Sequence, residues 1–478
     1  MSNHQNNKSI KNNPQIMKAW AFYDWANSVY SLVITTTIFP IYYARLTTYK
    51  GADGEDLKHM ISILGTDFQP DAVYGFSLMI SFLIVVIISP ILSSLADIIG
   101  NKKSFLQFFA YLGATSCMGL AMFTGVNNIF LGLLFSITAS VGFWGSLVFY
   151  NSFLPDIATP DRQDTLSARG YIYGYVGSVI LVLICLGLII GLGGDDPQKT
   201  KLFTRISFLL TGAWWFGFAQ YTFKHLPQFG EVKEQLPKDL VLLNHRNIFK
   251  NHRENGGFFY VVSRNLSFYK DIVKESYKEL LKVKKELFAS RNLKFYLSGF
   301  FFYSVGMQTI FLMSTLFGSN ELHLEEKELI ITLLIIQVIA IVGSLIFSRL
   351  SKKIGNINVI SISLLLWIGA CLSAYFLNTE NPYAKLQFYG LAGLVGLVMG
   401  GLQAMSRSTY SKLLPQDSME NTTYFSFYDI LEKIAIVIGM LIFSSLIQKY
   451  GGMRVAMLSM SIFFLLGLIL TRNVKMKK

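Results

Sequence analysis

Long apolar stretches alternate with short polar connections along most of the chain. A helix needs about 20 apolar residues to cross the hydrocarbon core of a bilayer. We predict twelve such spans, at residues 20–44, 73–95, 104–124, 128–151, 169–192, 203–223, 293–317, 328–349, 358–377, 386–406, 424–447 and 453–471. The pattern is that of an all-α polytopic membrane protein surrounded by membrane lipids.

The spans form two sets of six around one long polar segment, residues 224–292. Residues 95–101, after the second span, are similar to residues 350–356, after the eighth. Residues 153–156 and 413–416, after the fourth and tenth spans, are also similar. Matches at corresponding connections indicate a duplicated six-helix unit. The predicted parts are a tail (1–19), an N-terminal bundle (20–223), the linker (224–292), a C-terminal bundle (293–471) and a second tail (472–478).

Two of the spans carry a pair of glycines four residues apart. The pairs are Gly170 with Gly174 in the fifth span and Gly396 with Gly400 in the tenth. Small residues at this spacing allow two helix backbones to approach closely. We expect helix crossings at both pairs, with the general abundance of glycine in membrane helices as the alternative explanation.

The composition fits residence in a membrane, with 52% hydrophobic and 15% charged residues. The net charge of +13 does not indicate a nucleic-acid partner, because the charge is distributed by side. With a cytoplasmic N-terminus, the inner regions carry 16 Lys and Arg residues, segment 224–294 adds 15, and the outer regions carry 10. This asymmetry places both termini in the cytoplasm. We expect a monomeric multi-pass protein of a bacterial inner membrane.

The last part of the linker, residues 267–288, carries apolar side chains on one helical face and lysines elsewhere. Such a helix can lie on the inner membrane surface, held by its apolar side and by anionic lipids. It can equally be an ordinary cytoplasmic linker helix. The sequence leaves both possibilities open.

An acidic side chain in the first span is the clearest indication of function. A charge left in hydrocarbon costs at least ~2.5–3.5 kcal/mol, so it normally faces a protein interior or a wet cavity. Asp24 is followed by Asn27, Ser28 and Ser31, which fall on the same helical face. This polar stripe predicts a cavity lining in which Asp24 binds substrate or couples protons. The alternative is a lock onto a neighbouring helix.

A second group of charges lies near the start of the eleventh span. Asp429 and Lys433 are four residues apart with the acid first, the favourable order for an ion pair. Glu432 is then left without a partner, and a buried carboxyl of that kind suits proton exchange. Solvated acids at the inner interface are the alternative.

Four more polar side chains complete the candidate substrate or coupling site: Gln308, Gln403, Ser406 and Arg407. Arg407 either binds a carboxylate-bearing solute or anchors its helix at the inner membrane surface. All six histidines lie in predicted loops, so a carboxylate would carry any coupling proton. We find no nucleotide-binding loop and no metal-ligand cluster, and therefore expect no cofactor and no metal.

The connection after the second span predicts a gate. A carboxylate at the position of Asp97 can accept hydrogen bonds from the free N–H groups that begin a neighbouring helix. Lys102 and Lys103 follow and would anchor the connection at the lipid headgroups. Asp156 and Arg162, after the fourth span, complete the candidate cytoplasmic gate. A solvated loop is the alternative.

Several of these segments together resemble a known family. Residues 23–28 (YDWANS) resemble the opening signature of the UMF1-type transporters of the major facilitator superfamily. These transporters are related to the fungal vacuolar amino-acid effluxer of the autophagy pathway. Residues 149–156, 174–177 and 400–408 resemble the family's fourth, fifth and tenth spans, and residues 97–103 resemble a connection shared by the whole superfamily.

The resemblance implies a major facilitator fold with two pseudo-symmetric six-helix halves. It also implies secondary transport of a small polar solute by alternating access. The solute would be an amino acid or a related metabolite, and the coupling ion a proton. The chain departs from the family in lacking an acid at residues 303–306, and it has Ser93 where the shared connection has Gly. The family's coupling scheme therefore does not transfer directly. A polytopic enzyme acting on a lipid-linked substrate is the alternative function.

Overall fold

The computed structural model describes residues 10–51, 56–228, 266–377, 381–415, 418, 420–450 and 452–476. Long helices occur in the predicted order, and we number them span 1 to span 12. Span 1 consists of Pro14–Val29, a π-helical stretch at Tyr30–Ile38, and Phe39–Thr47. Spans 2 to 6 are Pro70–Ile99, Lys102–Gly119, Ile129–Ser152, Pro160–Leu186 and Pro197–His225. Spans 7 to 12 are Arg291–Leu322, Glu326–Ile354, Asn356–Tyr375, Ala384–Leu413, Asn421–Tyr450 and Met453–Thr471.

Ten helices in the described part of the chain are long and apolar enough to cross a membrane. Spans 1 and 6 are not among these ten, because polar side chains dilute their apolar stretches. Thr35, Thr36 and Thr37 do so in span 1, and Arg205 and Gln220 do so in span 6. Both helices nevertheless pack inside the bundle. The fold is therefore an all-α membrane bundle of the predicted class.

The packing of the spans repeats with a period of six. Span 1 packs on spans 5 and 6, span 2 on span 4, and span 3 on spans 4 and 6. Span 7 packs on spans 11 and 12, span 8 on span 10, and span 9 on spans 10 and 12. Between the halves, span 2 contacts span 11, and the equivalent pair is span 8 with span 5. Span 4 also contacts span 11, and the equivalent pair is span 10 with span 5. A single pseudo-two-fold axis accounts for all these pairs, as the sequence repeats predict.

Each half contains its own core of buried apolar side chains. The first core lies almost entirely between residues 20 and 226, and the second mainly between residues 283 and 474. Ala168 and Tyr175 of span 5 belong to the second core, so span 5 contributes to the surface where the halves meet. The chain thus forms two bundles joined face to face.

The two glycine pairs lie where helices cross closely. A Cβ on Gly174 would lie 2.5 Å from the Ser28 hydroxyl of span 1. A Cβ on Gly400 would lie 2.3 Å from the Ala340 carbonyl of span 8. Real Cβ atoms do not approach other atoms so closely, so both crossings require glycine. The expectation of helix crossings at these pairs is confirmed.

Several spans begin earlier than the hydrophobic pattern predicts. Span 5 begins at Pro160 rather than at residue 169, and span 1 at Pro14 rather than at residue 20. Asn13 caps span 1 by accepting a hydrogen bond from the Gln15 N–H at 2.9 Å. The added turns are polar, which is why an apolarity criterion misses them.

Two short antiparallel hairpins join spans 1 and 2. The first pairs β1 (Thr48–Lys50) with β2 (Asp56–Lys58), and the second pairs β3 (Ile61–Ile63) with β4 (Thr66–Phe68). The sequence analysis does not predict them, because three-residue strands carry too little pattern.

The helix Leu266–Ala289, which we call the linker helix, packs against spans 2, 7 and 11. Val283 and Leu287 on its inner face are fully buried. The linker helix is therefore docked on the bundle through this face, a contact that the sequence analysis does not predict. We call this end of the bundle the linker end. Odd-numbered spans begin there and even-numbered spans end there.

Candidate functional site

Asp24 of span 1 and Arg407 of span 10 form an ion pair across the two halves. The guanidinium atom Nη1 lies 3.4 Å from the carboxylate oxygen Oδ2. Arg407 is only 3% exposed and Asp24 only 5%. Tyr150 of span 4 donates its hydroxyl to the same oxygen at 2.8 Å. A buried charge without a partner destabilises a protein strongly. Each residue of the pair therefore compensates the charge of the other.

The Arg407 side chain reaches from its own half into the N-terminal half. Its Nε and Nη2 atoms donate to the Ser167 hydroxyl and carbonyl at 3.0 and 2.8 Å. The rings of Trp20 and Tyr171 lie 4.8 and 4.3 Å from Cζ, within the range of a cation–π contact. Arg407 is therefore held between the halves and does not anchor its helix at the membrane surface.

A second charged cluster lies on span 11. Lys433 Nζ is 2.5 Å from Asp429 Oδ1 and 3.1 Å from Glu432 Oε2. Gln308 of span 7 donates its amide to Glu432 Oε1 at 2.9 Å. The prediction that Glu432 lacks a partner is wrong, because the lysine lies between the two acids. Trp144 of span 4 lies 3.7 Å from Nζ, so this cation also contacts the opposite half.

The span 11 cluster is enclosed by protein. Lys433 is fully buried and Asp429 is 4% exposed. Span 11 begins at Asn421, which carries these residues about 12–18 Å along the helix from the linker end, at 1.5 Å per residue. The alternative of solvated acids at the interface is therefore wrong. Among the described residues, Asp429 Oδ2 has no hydrogen-bond partner.

The polar residues predicted to line span 1 lie in two types of helix. Asn27 is fully buried, and Ser28 donates to its Oδ1 at 3.3 Å while packing at Gly174. Ser31 lies in the π-helical stretch that begins at Tyr30. A π-helix has more residues per turn, so positions beyond Tyr30 rotate away from the face of Asp24. The predicted single face assumes α-helical geometry throughout, and for Ser31 it stays a prediction.

The neighbours of Arg407 on span 10 fasten that helix on two sides. Gln403 accepts a hydrogen bond from the Tyr175 hydroxyl of span 5 at 2.7 Å, which joins the two halves. The Ser406 hydroxyl lies 2.8 Å from the Tyr303 hydroxyl, and its carbonyl accepts from Tyr296 at 2.7 Å, both on span 7. These contacts fix the position from which Arg407 extends.

Asp97 lies at the linker end, where span 2 meets the beginning of span 11. Its carboxylate accepts from the backbone N–H groups of Thr422 and Thr423 at 3.2 and 2.7 Å, and from the Thr423 hydroxyl at 2.8 Å. The first N–H groups of a helix lack partners within that helix, so a carboxylate caps them well. We call this contact the first latch.

Lys102 does not reach the lipid headgroups, contrary to the prediction, whereas Lys103 is only partly buried. Lys102 is buried, forms an ion pair with Asp156, and donates to the Ser152 carbonyl at 2.9 Å. Asp156 also accepts from the Asn421 amide at 2.7 Å, which ties it to span 11. Lys103 donates to the Leu226 carbonyl at 2.8 Å. Both lysines therefore donate to groups of the protein itself, and Lys102 also balances the charge of Asp156.

A second latch lies at the pseudo-symmetric position, where span 5 meets spans 8, 9 and 10. Asp164 accepts from the Ser351 hydroxyl at 3.0 Å, the Asn356 amide at 2.8 Å and the Lys412 ammonium at 2.7 Å. Arg162, which the sequence analysis assigns to the gate, is exposed and contacts Asp161 at 3.9 Å instead. Arg162 points to solvent because it lies in the exposed first turn of span 5, whereas Asp164 lies on the buried face.

The sequence analysis missed Asp164 because it started span 5 at residue 169 and treated the preceding residues as a loop. The helix-start signal was available, since a proline at Pro160 favours the first turn of a helix. Tyr150, Ser167 and the aromatic residues around Arg407 were also missed. Their importance depends on which helices are neighbours, and one sequence does not supply that information.

Comparison with known proteins identifies the family to which this chain is similar in sequence. Residues 12–478 match the family model described as "Vacuole effluxer Atg22 like". The chain is 31% identical over 453 residues to an MFS-type transporter, YxiO, of Bacillus subtilis, covering 95% of this chain and 93% of that protein. It is 23% identical to autophagy-related protein 22 of Saccharomyces cerevisiae, covering 98% and 92% of the two chains.

Solved structures of the major facilitator superfamily share the fold. The Escherichia coli fucose:proton symporter FucP superposes with a TM-score of 0.61 at 14% identity, covering 97% of this chain and 98% of that one. The proton:xylose symporter XylE superposes with a TM-score of 0.64 at 12% identity, covering 95% and 94%. The fold, the sequence signatures and the family match agree. The chain belongs to the Atg22-like vacuole effluxer family of major facilitator transporters.

Proposed function

We propose that this protein is a secondary transporter of a small polar solute, with amino acids as the solute class, that works by alternating access. The observation that carries the proposal is the charged site between the halves. Two cations of the C-terminal half, Arg407 and Lys433, contact side chains of the N-terminal half. A solute bound there touches both halves at once, as alternating access requires.

The charges of this site favour a zwitterionic solute. Arg407 offers a planar guanidinium, which suits a carboxylate. Glu432 offers a carboxylate to an ammonium group and is more exposed than its neighbours, with 17% of its side chain accessible. An amino acid carries both groups. The Asp24–Arg407 and Lys433–Glu432 contacts would then be exchanged for contacts with the solute.

Proton coupling follows from counting the charges. Three carboxylates (Asp24, Asp429 and Glu432) face two cations (Arg407 and Lys433), which leaves one excess negative charge when all are ionised. An enclosed site of low polarity disfavours that charge. One proton, or the ammonium group of a solute, restores balance. Asp24 is the first place where this proton binds, and the unpartnered Asp429 oxygen makes the span 11 cluster the second.

The orientation completes the proposal. Both termini and the linker helix belong to the cytoplasmic side of a bacterial inner membrane, on the Lys and Arg asymmetry described above. The two latches then close the cytoplasmic side, and the protein works as a monomer. Residues 20–223 and 293–471 act as the two moving bundles.

Uptake by purified protein in liposomes tests the proposed function. Amino acid mixtures are supplied outside, with and without an inward-directed pH gradient, and the trapped solutes are identified by mass spectrometry. We expect accumulation of one or a few amino acids that collapses when a protonophore removes the gradient. Asp161→Asn, an exposed acid at the start of span 5, serves as the control and retains uptake. Solute chemistry altered by the protein without any gradient would instead support the enzyme alternative.

Labelling in intact cells tests the orientation. Single cysteines at Lys353 and Lys475 occupy exposed positions at the linker end. We expect an impermeant thiol reagent to modify them only after the membrane is permeabilised. Modification in intact cells contradicts the cytoplasmic assignment.

A further inference from the structure

The linker helix has a protein-facing side and a side that the structure leaves uncovered. On the protein-facing side, Val283 and Leu287 are fully buried. The Ser276 carbonyl accepts a hydrogen bond from the Ser94 hydroxyl of span 2 at 3.0 Å. This side therefore fixes the rotation of the helix about its axis and determines which residues face outward.

Two polar contacts connect the linker helix to the beginning of span 11. Lys282 Nζ lies 2.6 Å from Glu420 Oε1. The Tyr424 hydroxyl donates to Glu286. Glu420 and Tyr424 flank Thr422 and Thr423, whose N–H groups the first latch occupies. The linker helix is thus attached directly to the moving part of the gate.

The outward side combines large apolar side chains with lysines. Tyr277, Leu281 and Phe288 are 60%, 47% and 58% exposed. Positions four, seven and eleven residues apart share a helical face, so these three lie in one stripe together with Lys284. Lys274 and Lys285 are exposed close to the stripe. Large apolar side chains interleaved with lysines are typical of a helix lying at a membrane surface.

We infer that this outward side binds the anionic lipid surface of the membrane that surrounds the bundle. The linker helix lies at the ends of spans 2, 7 and 11, which places it near the level of the lipid headgroups. The charge is complementary, because lysines close to an anionic bilayer are attracted to its surface. The aromatic and aliphatic side chains enter the boundary between headgroups and acyl chains. A folded protein partner is disfavoured, since lysine is depleted in the centres of protein interfaces.

A consequence follows, and it rests on the proposed transport function. Lipid binding holds the linker helix in place, and the linker helix holds the beginning of span 11 against the first latch. Anionic lipid should therefore favour the state that is closed at the linker end. Lipid binding itself does not depend on this consequence.

Spin labels on the outward side provide the test. Cys117, Cys185 and Cys371, all buried, are replaced by alanine, and single cysteines are placed at Leu281 or Phe288. The protein is reconstituted in nanodiscs of phosphatidylcholine alone or mixed equally with phosphatidylglycerol. Collision of the label with oxygen, which partitions into lipid, is compared with collision with a water-soluble nickel chelate. Control labels are placed at Leu365, an exposed apolar position of span 9, and at Lys353, an exposed charged position.

In the nanodiscs that contain phosphatidylglycerol, we expect labels at 281 and 288 to become more accessible to oxygen and less accessible to the nickel chelate. Their accessibility should move from that of the Lys353 label toward that of the Leu365 label. Joint replacement of Lys274, Lys284 and Lys285 by glutamine should remove the difference between the two lipid compositions. Hydrogen exchange of the unlabelled linker helix gives a second readout and should slow several-fold in the anionic nanodiscs. Labels as accessible to nickel as the Lys353 label in both lipids, or immobilised without oxygen access by another protein chain, would overturn the inference.

Discussion

At the scale of single residues, the main fact is that Arg407 makes contacts that only a guanidinium can make together. It pairs with Asp24, donates to both oxygens of Ser167, and lies against Trp20 and Tyr171. Lysine offers one point charge on a flexible stem and cannot fill these positions simultaneously. The contacts cross the interface between the halves, so their loss affects the transport cycle more than the folding of either half.

Arg407→Lys should therefore reduce transport at least tenfold, a change of about 1.4 kcal/mol or more in the limiting barrier. The shorter reach of a lysine ammonium leaves part of the Asp24 carboxylate without a partner. The measurement is initial uptake in proteoliposomes at equal protein density. Arg169→Lys, an exposed arginine on the same span as Ser167, is the matched control and should transport normally. Normal transport by Arg407→Lys would mean that its charge alone matters.

Asp24→Asn should abolish accumulation driven by a pH gradient, because the amide cannot bind and release a proton. It also leaves Arg407 without its counter-charge, and breaking a buried ion pair costs about 3–5 kcal/mol. The double variant Asp24→Asn with Arg407→Gln removes both charges and should recover expression without recovering accumulation. Thermal unfolding and gradient-driven uptake are measured for both variants. Gradient-driven uptake at the wild-type level in Asp24→Asn would leave the span 11 cluster as the coupling site.

The sequence could identify Asp24, Arg407 and Glu432 as unusual, because charges are rare inside apolar helices. It could not show that Asp24 and Arg407 meet, since their contact joins residues from opposite halves. The same limit explains the wrong expectation for Glu432. Its two partners, Lys433 and Gln308, include one from a different helix, and a pairing rule within one helix finds only half of the arrangement.

At the scale of helices, the hydrophobic pattern predicted the order of the twelve long helices, and ten of them in the described part of the chain are long and apolar enough to cross a membrane. The ends of the spans were predicted less well. The first turns of span 5 are polar and carry no apolar pattern, because Arg162 is exposed and the buried Asp164 bonds to side chains of the opposite half. The π-helical stretch of span 1 was beyond prediction, because its sequence is an ordinary run of apolar and threonine residues.

Asp97→Ala should shift the protein toward states that are open at the linker end. The substitution removes hydrogen bonds to a charged acceptor, which contribute about 1.5–3 kcal/mol each. We expect a cysteine introduced at Asn151, whose side chain accepts a hydrogen bond from Arg407 Nη1 at 3.2 Å, to react faster with a hydrophilic thiol reagent in permeabilised cells. Solute affinity should change little, because Asp97 lies at the end of span 2, away from the charged site.

Asp164→Ala tests whether the second latch acts in the same direction. It should also raise reactivity at position 151, and the combination with Asp97→Ala should have an additive effect, because the latches share no residue. Asp161→Ala, one turn earlier on span 5 and exposed, is the matched control. Unchanged reactivity in both latch variants would leave these contacts a purely structural role.

At the scale of the whole molecule, the two-fold packing defines which contacts must break when the halves move. Contacts within a half repeat every six spans, whereas spans 2 and 11, 5 and 8, 4 and 11, and 5 and 10 meet across the interface. The structure holds all four interface pairs together near the linker end. Rocking of the halves must therefore separate some of them there, while the contacts within each half persist.

A cross-link between spans 5 and 10 should stop this motion. The Ser167 hydroxyl lies 2.8 Å from the Ala404 carbonyl, so the two helices are in direct contact at these positions, as a disulfide between them requires. In a background without the three native cysteines, oxidation of Ser167→Cys with Ala404→Cys should arrest transport, and a reducing agent should restore it. Each single cysteine variant is the control. A cross-linked protein that still transports would show that the halves need not separate at this interface.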